Sequence, residues 1–307
     1  MSPATEPASL VIAICTFERP RQLTRLLANL AAVDMPPDLG VRTLVVDNSP
    51  SGSARSTVVT RRGDAQPVAY LHEPTGGIIG ARDAALRARN RGEHLVFIDD
   101  DEWPCNRWLS ELWAAHLRHP AALIAGPTRR VSFDADADAD AVASAEVTAV
   151  ALDADRRRTD QRLEACGFGN VLLPADLLDV HGLTLAPRYR HSGGEDTDFC
   201  VRARAHGSDV RFAADAICYE ETGAERLGAS FRRKLVLTQH AVYSDVVRRH
   251  RPRAILRRAV TSLVRLLAAL TRLPLTAVAG HPEPALLQLC AGVGGLLGLG
   301  GVLPSRY

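Results

Sequence analysis

The chain has 307 residues, 46% hydrophobic and 23% charged, so it can bury a core and is not a disordered protein. Its formal net charge of +2 says little about nucleic acid. Six cysteines without a Cys-x-x-Cys pair argue against a zinc ribbon or a secreted disulfide scaffold and for a reducing compartment. The first residues lack the basic start and apolar run of a signal peptide, so the main domain is expected in the cytoplasm.

Strand and helix patterns alternate in the first third of the chain. The apolar run Leu10–Cys15 predicts a parallel strand covered on both faces, and leucines at helical spacing follow it. Further strands are predicted at 41–47, 67–72 and 94–98, with a glycine turn and a helix at 75–92. The alternation predicts an α/β fold, with an open, mostly parallel, Rossmann-like sheet and helices on both faces.

An acidic repeat interrupts this pattern. Residues 131–165 include "FDADADADAVASAE", which we interpret as a mobile, solvated insert because it lacks the glycine and closing glutamate of an EF-hand. A strand and a short helix are predicted at 166–182, then a helix that the acidic stretch "GGEDTDF" begins. One or two late strands end at Glu220 and Glu221. We expect one domain over residues 1–245 and a helical region over 246–307.

Polar residues follow each of the four predicted strands. They are Thr16, Phe17 and Glu18 after the first, Asp47 and Asn48 after the second, Glu73 after the third, and Asp99, Asp100 and Asp101 after the fourth. Ligands of open α/β sheets bind outside the carboxyl ends of the strands, so these groups are expected to face one crevice. Adjacent aspartates repel each other, and either a solvated turn or a divalent cation with a substrate diphosphate would compensate them.

A second acidic cluster, Glu195, Asp196 and Asp198, stands at the start of a predicted helix. Carboxylates are favourable at that position, and Asp196 or Thr197 could simply cap the helix. The chemical alternative is that Asp196 accepts a proton from an attacking hydroxyl while the first cluster holds Mg²⁺ or Mn²⁺.

Six motifs occur in this order: VIAICTFERPRQLTRLL, LVVDNSP, GIIGARDAAL, LVFIDDDEWP, GNVLL and GGEDTDF. Together, over roughly residues 9–245, they resemble the motifs of family 2 glycosyltransferases with the GT-A fold, in particular the bacterial ExoM-like subgroup of succinoglycan glucosyltransferases. The resemblance implies inverting transfer of a sugar from a nucleoside diphosphate donor, usually UDP, with Mn²⁺ or Mg²⁺ as cofactor. Residues 1–245 would form the GT-A domain.

The resemblance also implies roles for individual residues. Those implied to bind the nucleotide or its diphosphate are Thr16, Phe17, Glu18, Arg19, Asp47, Arg82, Asp99 and Asp100. The implied metal ligands are Asp101, Asp99 and Glu220, and Glu220 stands where many members have a histidine. Asp196 matches the catalytic base, and Glu195 matches its neighbour that binds sugar hydroxyls. Glu18 departs from the family, which frequently has asparagine there.

The C-terminal region, residues 246–307, combines arginines with apolar helical faces. One predicted stripe contains Val260, Leu263, Leu266, Leu267 and Leu270, beside Arg257, Arg258 and Arg265. Basic amphipathic helices are typical of membrane surfaces, and packing on the catalytic domain is the alternative. The uncharged segment 284–305 approaches the length of a membrane span, but its glycines favour shallow association, with a true span as the alternative.

The sequence thus predicts a hexosyltransferase at the cytoplasmic face of the inner membrane, acting on a lipid-linked or saccharide acceptor, with no nucleic-acid partner. A soluble small-molecule acceptor is one alternative. A non-catalytic nucleotide-sugar binding protein is another, and the presence of both Asp101 and Asp196 argues against it because a binding module needs no base.

Overall fold

The computed structural model describes residues 8–61, 68–131, 157–221 and 228–305. Most of the predicted acidic insert, residues 132–156, lies outside this description. The chain divides into two compact units, Met1–Leu185 with Ala203–Glu221, and Ala186–Arg202 with Thr222–Tyr307. The domain boundary expected at residue 245 stays a prediction.

The first unit is an α/β structure with two sheets. Its strands are β1 (Ala8–Thr16), β2 (Leu39–Asp47), β3 (Val68–His72), β4 (Glu93–Asp99), β5 (Glu102–Pro104), β6 (Leu123–Ala125), β7 (Thr128–Val131), β8 (Arg162–Leu163), β9 (Asn170–Leu173), β10 (Val210–Phe212) and β11 (Cys218–Glu221). Its helices are α1 (Pro20–Leu30), α2 (Arg55–Val59), α3 (Gly77–Ala88), α4 (Trp108–Arg118) and α5 (Ala175–His181). Eight strands form the main sheet in the order β3-β2-β1-β4-β9-β6-β10-β8, and β5-β11-β7 form a smaller one.

Strand β1 is central to the core of this unit. It runs parallel to β2 on one side and to β4 on the other, and Leu10 to Ile14 are completely buried. Leu23 and Leu26, on the inner face of α1, pack into the same core as β1. Both faces of this strand are covered, so neither face needs polar residues for contact with solvent. This explains its continuous apolar run. The predicted α/β fold with a mostly parallel sheet is confirmed.

Strand β9 is the main exception to parallel pairing, because it runs antiparallel to both β4 and β6. Buried Asn170 fixes its beginning through three hydrogen bonds. Its Nδ2 donates to the carbonyl oxygens of Pro127 at 3.1 Å and Ala216 at 2.8 Å, and its Oδ1 accepts from Trp108 Nε1 at 2.9 Å. One side chain therefore joins β9 to α4 and to the segments before β7 and β11.

The second unit is helical. It contains α7 (Ala229–His250), α8 (Ile255–Val278), α9 (Glu283–Leu299) and the segment Ala186–Arg202, in which α6 (Glu195–Ala205) begins. Asp245 of α7 is completely buried, and it accepts hydrogen bonds from Tyr189 at 2.9 Å and Arg188 at 3.0 Å. These two donors bind the Ala186–Arg202 segment to α7, and Arg248 and Arg249 of α7 itself also pair with the buried carboxylate.

Glycines let α9 lie against α7 at backbone distance. A Cβ on Gly294 would collide with the carbonyl oxygen of Leu237, and one on Gly298 with that of Ala241. The glycines of the uncharged segment thus serve close helix packing. In the part of the chain that the structure describes, no helix has both the length and the apolar character needed to cross a bilayer.

Helix α8 confirms most of the predicted amphipathic pattern. Val260, Leu263, Leu267 and Leu270 are exposed, whereas Leu266 is half-buried. Arg258 and Arg265 do not border the exposed stripe as expected. Their guanidinium groups lie 2.9 Å and 3.1 Å from Nδ1 of His240 on α7, because they point inward from the packed side of the helix.

We expect Gly298→Ala to destabilise the protein by about 1–3 kcal/mol, because the added methyl group must push α9 away from α7. Urea unfolding followed by circular dichroism measures this. Gly40→Ala is the matched control, since a Cβ there would lie 3.7 Å from its nearest neighbour, an ordinary contact. Equal stability of the two variants would contradict the close approach of α9.

Candidate active site

The carboxyl ends of β1, β2 and β4 lie side by side. Parallel pairing places Thr16 opposite Asp47 and Cys15 opposite Asp99. The backbone N–H of Glu73, just after β3, donates to the carbonyl oxygen of Asp47 at 2.9 Å. The polar residues that follow the first four strands therefore line one edge of the sheet, as the alternating pattern predicted.

Asp100, the middle residue of the aspartate triplet, is the most deeply buried of the three at 5% exposure. It accepts a hydrogen bond from Thr16 Oγ1 at 2.7 Å and one from Arg19 at 3.0 Å. Burial raises the pKa of Asp100 to about 6, although Arg19 and Thr16 oppose the shift. Asp100 thus ties the loop after β1 to the end of β4.

The two outer aspartates are each paired with an arginine. Arg82, itself buried on α3, donates to Asp99 at 2.9 Å, and Arg19 donates to Asp101 at 2.8 Å. Arg82 also lies over the ring of Phe97 at 6.0 Å. Thr16, Arg19 and Arg82 therefore each contact at least one residue of the aspartate triplet.

Phe17 and Glu18 form an exposed turn after β1. Phe17 is 52% exposed, and Glu18 has a backbone φ of 54°, in the left-handed region. Asparagine adopts this conformation more readily than glutamate does, so the departure from the family at this position places a less suited residue in a strained turn.

Asp47 is completely buried and supports the loop after β2. Its Oδ1 accepts from the backbone N–H and hydroxyl of Ser49 at 2.9 Å and 2.7 Å, and its Oδ2 accepts from Ala54 N–H at 2.7 Å and Tyr70 at 3.0 Å. Burial acts to raise the pKa of Asp47, but these hydrogen bonds outweigh it and the pKa lies below its ordinary value. The implied contact to a nucleobase stays a prediction.

Glu102, on β5, is a buried carboxylate that sequence reasoning missed. Its Oε1 accepts from Thr128 at 3.0 Å, while its Oε2 has no hydrogen-bond partner among the described residues. A Cβ on Gly169 would lie 2.7 Å from Glu102 Oε1 and 3.0 Å from Asp99 Oδ2, so the two carboxylates converge where that glycine leaves room. Burial first, and then the charge of Asp99, raise the pKa of Glu102 well above its ordinary value. The signal in the sequence was the continuation of the triplet as DDDE.

Glu220 lies next to Glu102. Antiparallel pairing of β11 with β5 places the two glutamates opposite each other, and Arg130 lies 3.6 Å from the Glu220 carboxylate. The charge of Glu220 contributes to the raised pKa of Glu102. The structure therefore brings the third implied metal ligand to the same edge as the aspartate triplet.

This edge has the donor chemistry of a divalent-cation site. Carboxylate oxygens are the ligands that Mg²⁺ and Mn²⁺ prefer, and one oxygen of Glu102 has no hydrogen-bond partner among the described residues. Across residues 8–61, 68–131, 157–221 and 228–305, no three acidic, histidine or cysteine side chains are already spaced to hold a metal ion. Since Arg19 and Arg82 contact all three aspartates, a cation would replace arginine contacts there.

The two implied catalytic residues belong to the second unit. Helix α6 begins at Glu195, so Asp196 and Thr197 lie inside its first turn and neither is the residue that precedes the helix. Asp196 Oδ1 accepts from the backbone N–H of Thr197 at 2.5 Å, and Glu195 is buried. Asp198 is held by Arg202 at 2.7 Å and His250 at 2.8 Å, which anchors this turn to α7.

Residues 7–235 match the family model described as glycosyltransferase like family 2. The chain belongs to glycosyltransferase family 2. The succinoglycan biosynthesis protein ExoM of Rhizobium meliloti is 29% identical over 230 residues, which is 75% of this chain and 72% of ExoM. The protein is therefore a glycosyltransferase, and the resemblance seen in its motifs is confirmed.

Two solved structures show the same fold. The mannosyltransferase PcManGT from Pyrobaculum calidifontis, in complex with GDP-Man and Mn²⁺, matches with a TM-score of 0.62 and 16% identity over 97% of this chain and 88% of that chain. TarS residues 1–349 from S. aureus, in complex with UDP-GlcNAc, matches with a TM-score of 0.54 and 13% identity over 96% and 92%. At such identities the likeness shows the GT-A fold alone.

We expect Asp47→Asn to lower the free energy of unfolding by about 2 kcal/mol at neutral pH, because an amide cannot accept all four hydrogen bonds. The folded-state pKa is lowered, so the stabilisation is present above the unfolded-state pKa of about 4 and is lost as the pH falls through the folded-state value. Urea unfolding at a series of decreasing pH values should show that the difference in the free energy of unfolding between the variant and wild type becomes smaller. The control is exposed Asp38→Asn, and a gap that persists at low pH would contradict the assignment.

We expect Glu102→Gln, with a chelator present, to raise the free energy of unfolding by about 1 kcal/mol at neutral pH, since folding buries a carboxyl group whose charged form is disfavoured there, whereas the amide has no charged form. The raised folded-state pKa means that wild type loses stability as the pH rises above 4.5, the ordinary value, so the gain should grow over that range. Urea unfolding at several pH values measures it. Glu111→Gln, on the surface of α4, is the control, and a loss of stability in Glu102→Gln would disprove the account.

Proposed function

We propose that the protein transfers a sugar, with inversion, from a nucleoside diphosphate donor to a hydroxyl of a glycolipid or polysaccharide-repeat acceptor. The observation that carries the proposal is the edge of four carboxylates, Asp99 to Glu102, at the aligned ends of β1 and β4 beside two arginines. Carboxylate oxygens suit a divalent cation, and the arginines suit phosphate oxygens.

Different residues of this edge are proposed to bind the cation and the phosphate groups of the donor. Asp101, Asp99 and Glu220 would hold Mn²⁺ or Mg²⁺, whose charge stabilises the departing diphosphate. Asp100 keeps its bond to Thr16 and so holds the loop after β1 in place. Arg19 and Arg82, released from the carboxylates, donate to phosphate oxygens.

Asp196 is the proposed base. It accepts the proton of the acceptor hydroxyl while the acceptor oxygen forms its bond to the anomeric carbon and the bond from that carbon to the diphosphate oxygen breaks. Attack opposite the leaving group inverts the anomeric centre. A glycoside hydrolase must also protonate its leaving oxygen, whereas a diphosphate leaves without a second acid. Glu195 is proposed to bind sugar hydroxyls.

The nucleobase of the sugar donor and the class of acceptor are proposed from the relatives. UDP is the first candidate, because the TarS structure holds UDP-GlcNAc, although PcManGT holds GDP-Man. The name of ExoM, a succinoglycan biosynthesis protein, supports a saccharide or lipid-linked acceptor. Such an acceptor would place the enzyme on the cytoplasmic face of the inner membrane.

We expect calorimetry to show UDP binding that requires Mn²⁺, is abolished in Asp101→Ala, and is retained in Asp196→Asn. Turnover of Asp196→Asn should fall by about 10²–10⁴-fold, because only proton transfer is lost. NMR of the product should show an inverted anomeric configuration.

Asp38→Ala is the control for Asp101→Ala, since exposed Asp38 lies at the opposite, amino end of β2. Failure to bind UDP, GDP or their sugars with metal present would overturn the donor assignment. Full turnover in Asp196→Asn would overturn the base assignment.

A further inference from the structure

Helix α8 presents a continuous apolar face to solvent. Its outward side chains are Leu256, Val260, Leu263, Val264, Leu267 and Leu270, with exposed fractions between 48% and 75%. Their spacing places them on one side of the helix, while Ser262 and Ala269 on the other side are buried. Contiguous exposed apolar surface of this kind marks an interaction site.

The chain around this face carries only positive charge. Between Asp245 and Glu283 there are eight arginines and no acidic residue. Arg253, Arg257 and Arg272 are exposed, and within the described ranges none of the three is paired with a carboxylate. An acidic protein surface or an anionic lipid surface would complement this charge, whereas a neutral apolar partner would leave it unpaired.

A cavity of about 330 Å³ lies at the edge of the apolar face. Its lining includes Tyr243 and Val247 of α7, Arg251, and Arg257, Arg258 and Thr261 of α8. Arg258 donates to Ser244 Oγ at 2.7 Å and to the His240 carbonyl oxygen at 3.2 Å, both uncharged groups. Burial and the nearby Arg265 lower the pKa of Arg258, as expected for a guanidinium group that lies beside a second cation and donates to uncharged oxygens.

We propose that this cavity binds the phosphate group of an anionic membrane lipid while the apolar face of α8 lies in the lipid interface. The guanidinium fork suits phosphate oxygens, and an amphipathic helix with a basic edge binds anionic bilayers in this orientation. Arg257 stands one residue from Leu256 and three from Val260, so phosphate and acyl chains of one lipid can be reached together. The inference rests on the membrane location given under the proposed function and specifies which residues contact the lipid. It does not depend on how the sugar donor is bound.

Two other occupants share part of this chemistry. A soluble phosphate compound would use the cavity but not the apolar face. A second copy of the chain would use the apolar face but not the cavity, and it would bring the same arginines together. The lipid is favoured because it alone uses both features.

The test is sedimentation of the full chain with vesicles of phosphatidylcholine alone or of an equimolar mixture with phosphatidylglycerol. Binding is expected to the mixed vesicles only and to weaken with added salt. Arg257→Gln should reduce the partition coefficient about fivefold. The double variant Leu263→Gln, Leu267→Gln should reduce it roughly tenfold or more.

Two exposed residues of the first unit supply matched controls: Arg91→Gln for the charge and Leu117→Gln, 65% exposed, for the apolar change. Circular dichroism verifies that each variant is folded. Both controls should sediment as wild type does, and equal losses in the controls would overturn the assignment to α8.

Other outcomes also decide the question. Absence of binding to mixed vesicles, or equal binding to neutral ones, overturns the proposal. Calorimetric binding of inorganic pyrophosphate that depends on Arg257, without vesicle binding, would identify a soluble phosphate ligand instead. Dimerisation lost in the Leu263, Leu267 double variant, without vesicle binding, would identify a second copy. Mn²⁺-dependent UDP binding is measured separately, so a failed vesicle test leaves the proposed function intact.

Discussion

The concentration of negative charge at the end of β4 is the constraint on which the site of the first unit depends. Four carboxylates follow one another from Asp99 to Glu102, and a fifth, Glu220, is brought opposite them by strand pairing. Buried carboxylates persist only where donors or cations compensate them. Arg19, Arg82 and Thr16 supply part of that compensation and, in doing so, fix the loop after β1 and the first turns of α3.

Asp100 and Glu102 show how incomplete this compensation is. The pKa values of Asp100 and Glu102 are both raised, and one oxygen of Glu102 lacks a partner among the described groups. A fully satisfied network would hold the site in one arrangement. An edge whose carboxylates are incompletely compensated instead favours a ligand that brings positive charge, which is the physical reason for proposing a divalent cation there.

The second unit has the opposite electrostatic character in its C-terminal part. The buried Asp245 is paired with Arg188, Arg248 and Arg249, whereas the arginines of α8 have no carboxylate partner in the described chain. Glycine packing of α9 on α7 leaves the outer face of α8 uncovered within this unit. Charge and apolar surface therefore accumulate on the same helix, which favours a lipid interface over a purely aqueous one.

The sequence by itself determined the alternating α/β pattern, the order of the motifs and the residues at the ends of β1, β2 and β4. These follow from hydrophobic periodicity and from parallel pairing, which are local or nearly local rules. Only the tertiary structure decided that Asp47 supports a loop, that Glu102 joins the acidic edge, and that Arg258 and Arg265 point inward to His240. These outcomes depend on contacts between residues distant in sequence, whose burial and donors no local pattern records. The antiparallel position of β9 in the sheet also depends on contacts between distant residues. Asn170, at its start, is hydrogen-bonded to Trp108, Pro127 and Ala216, which lie in three separate segments.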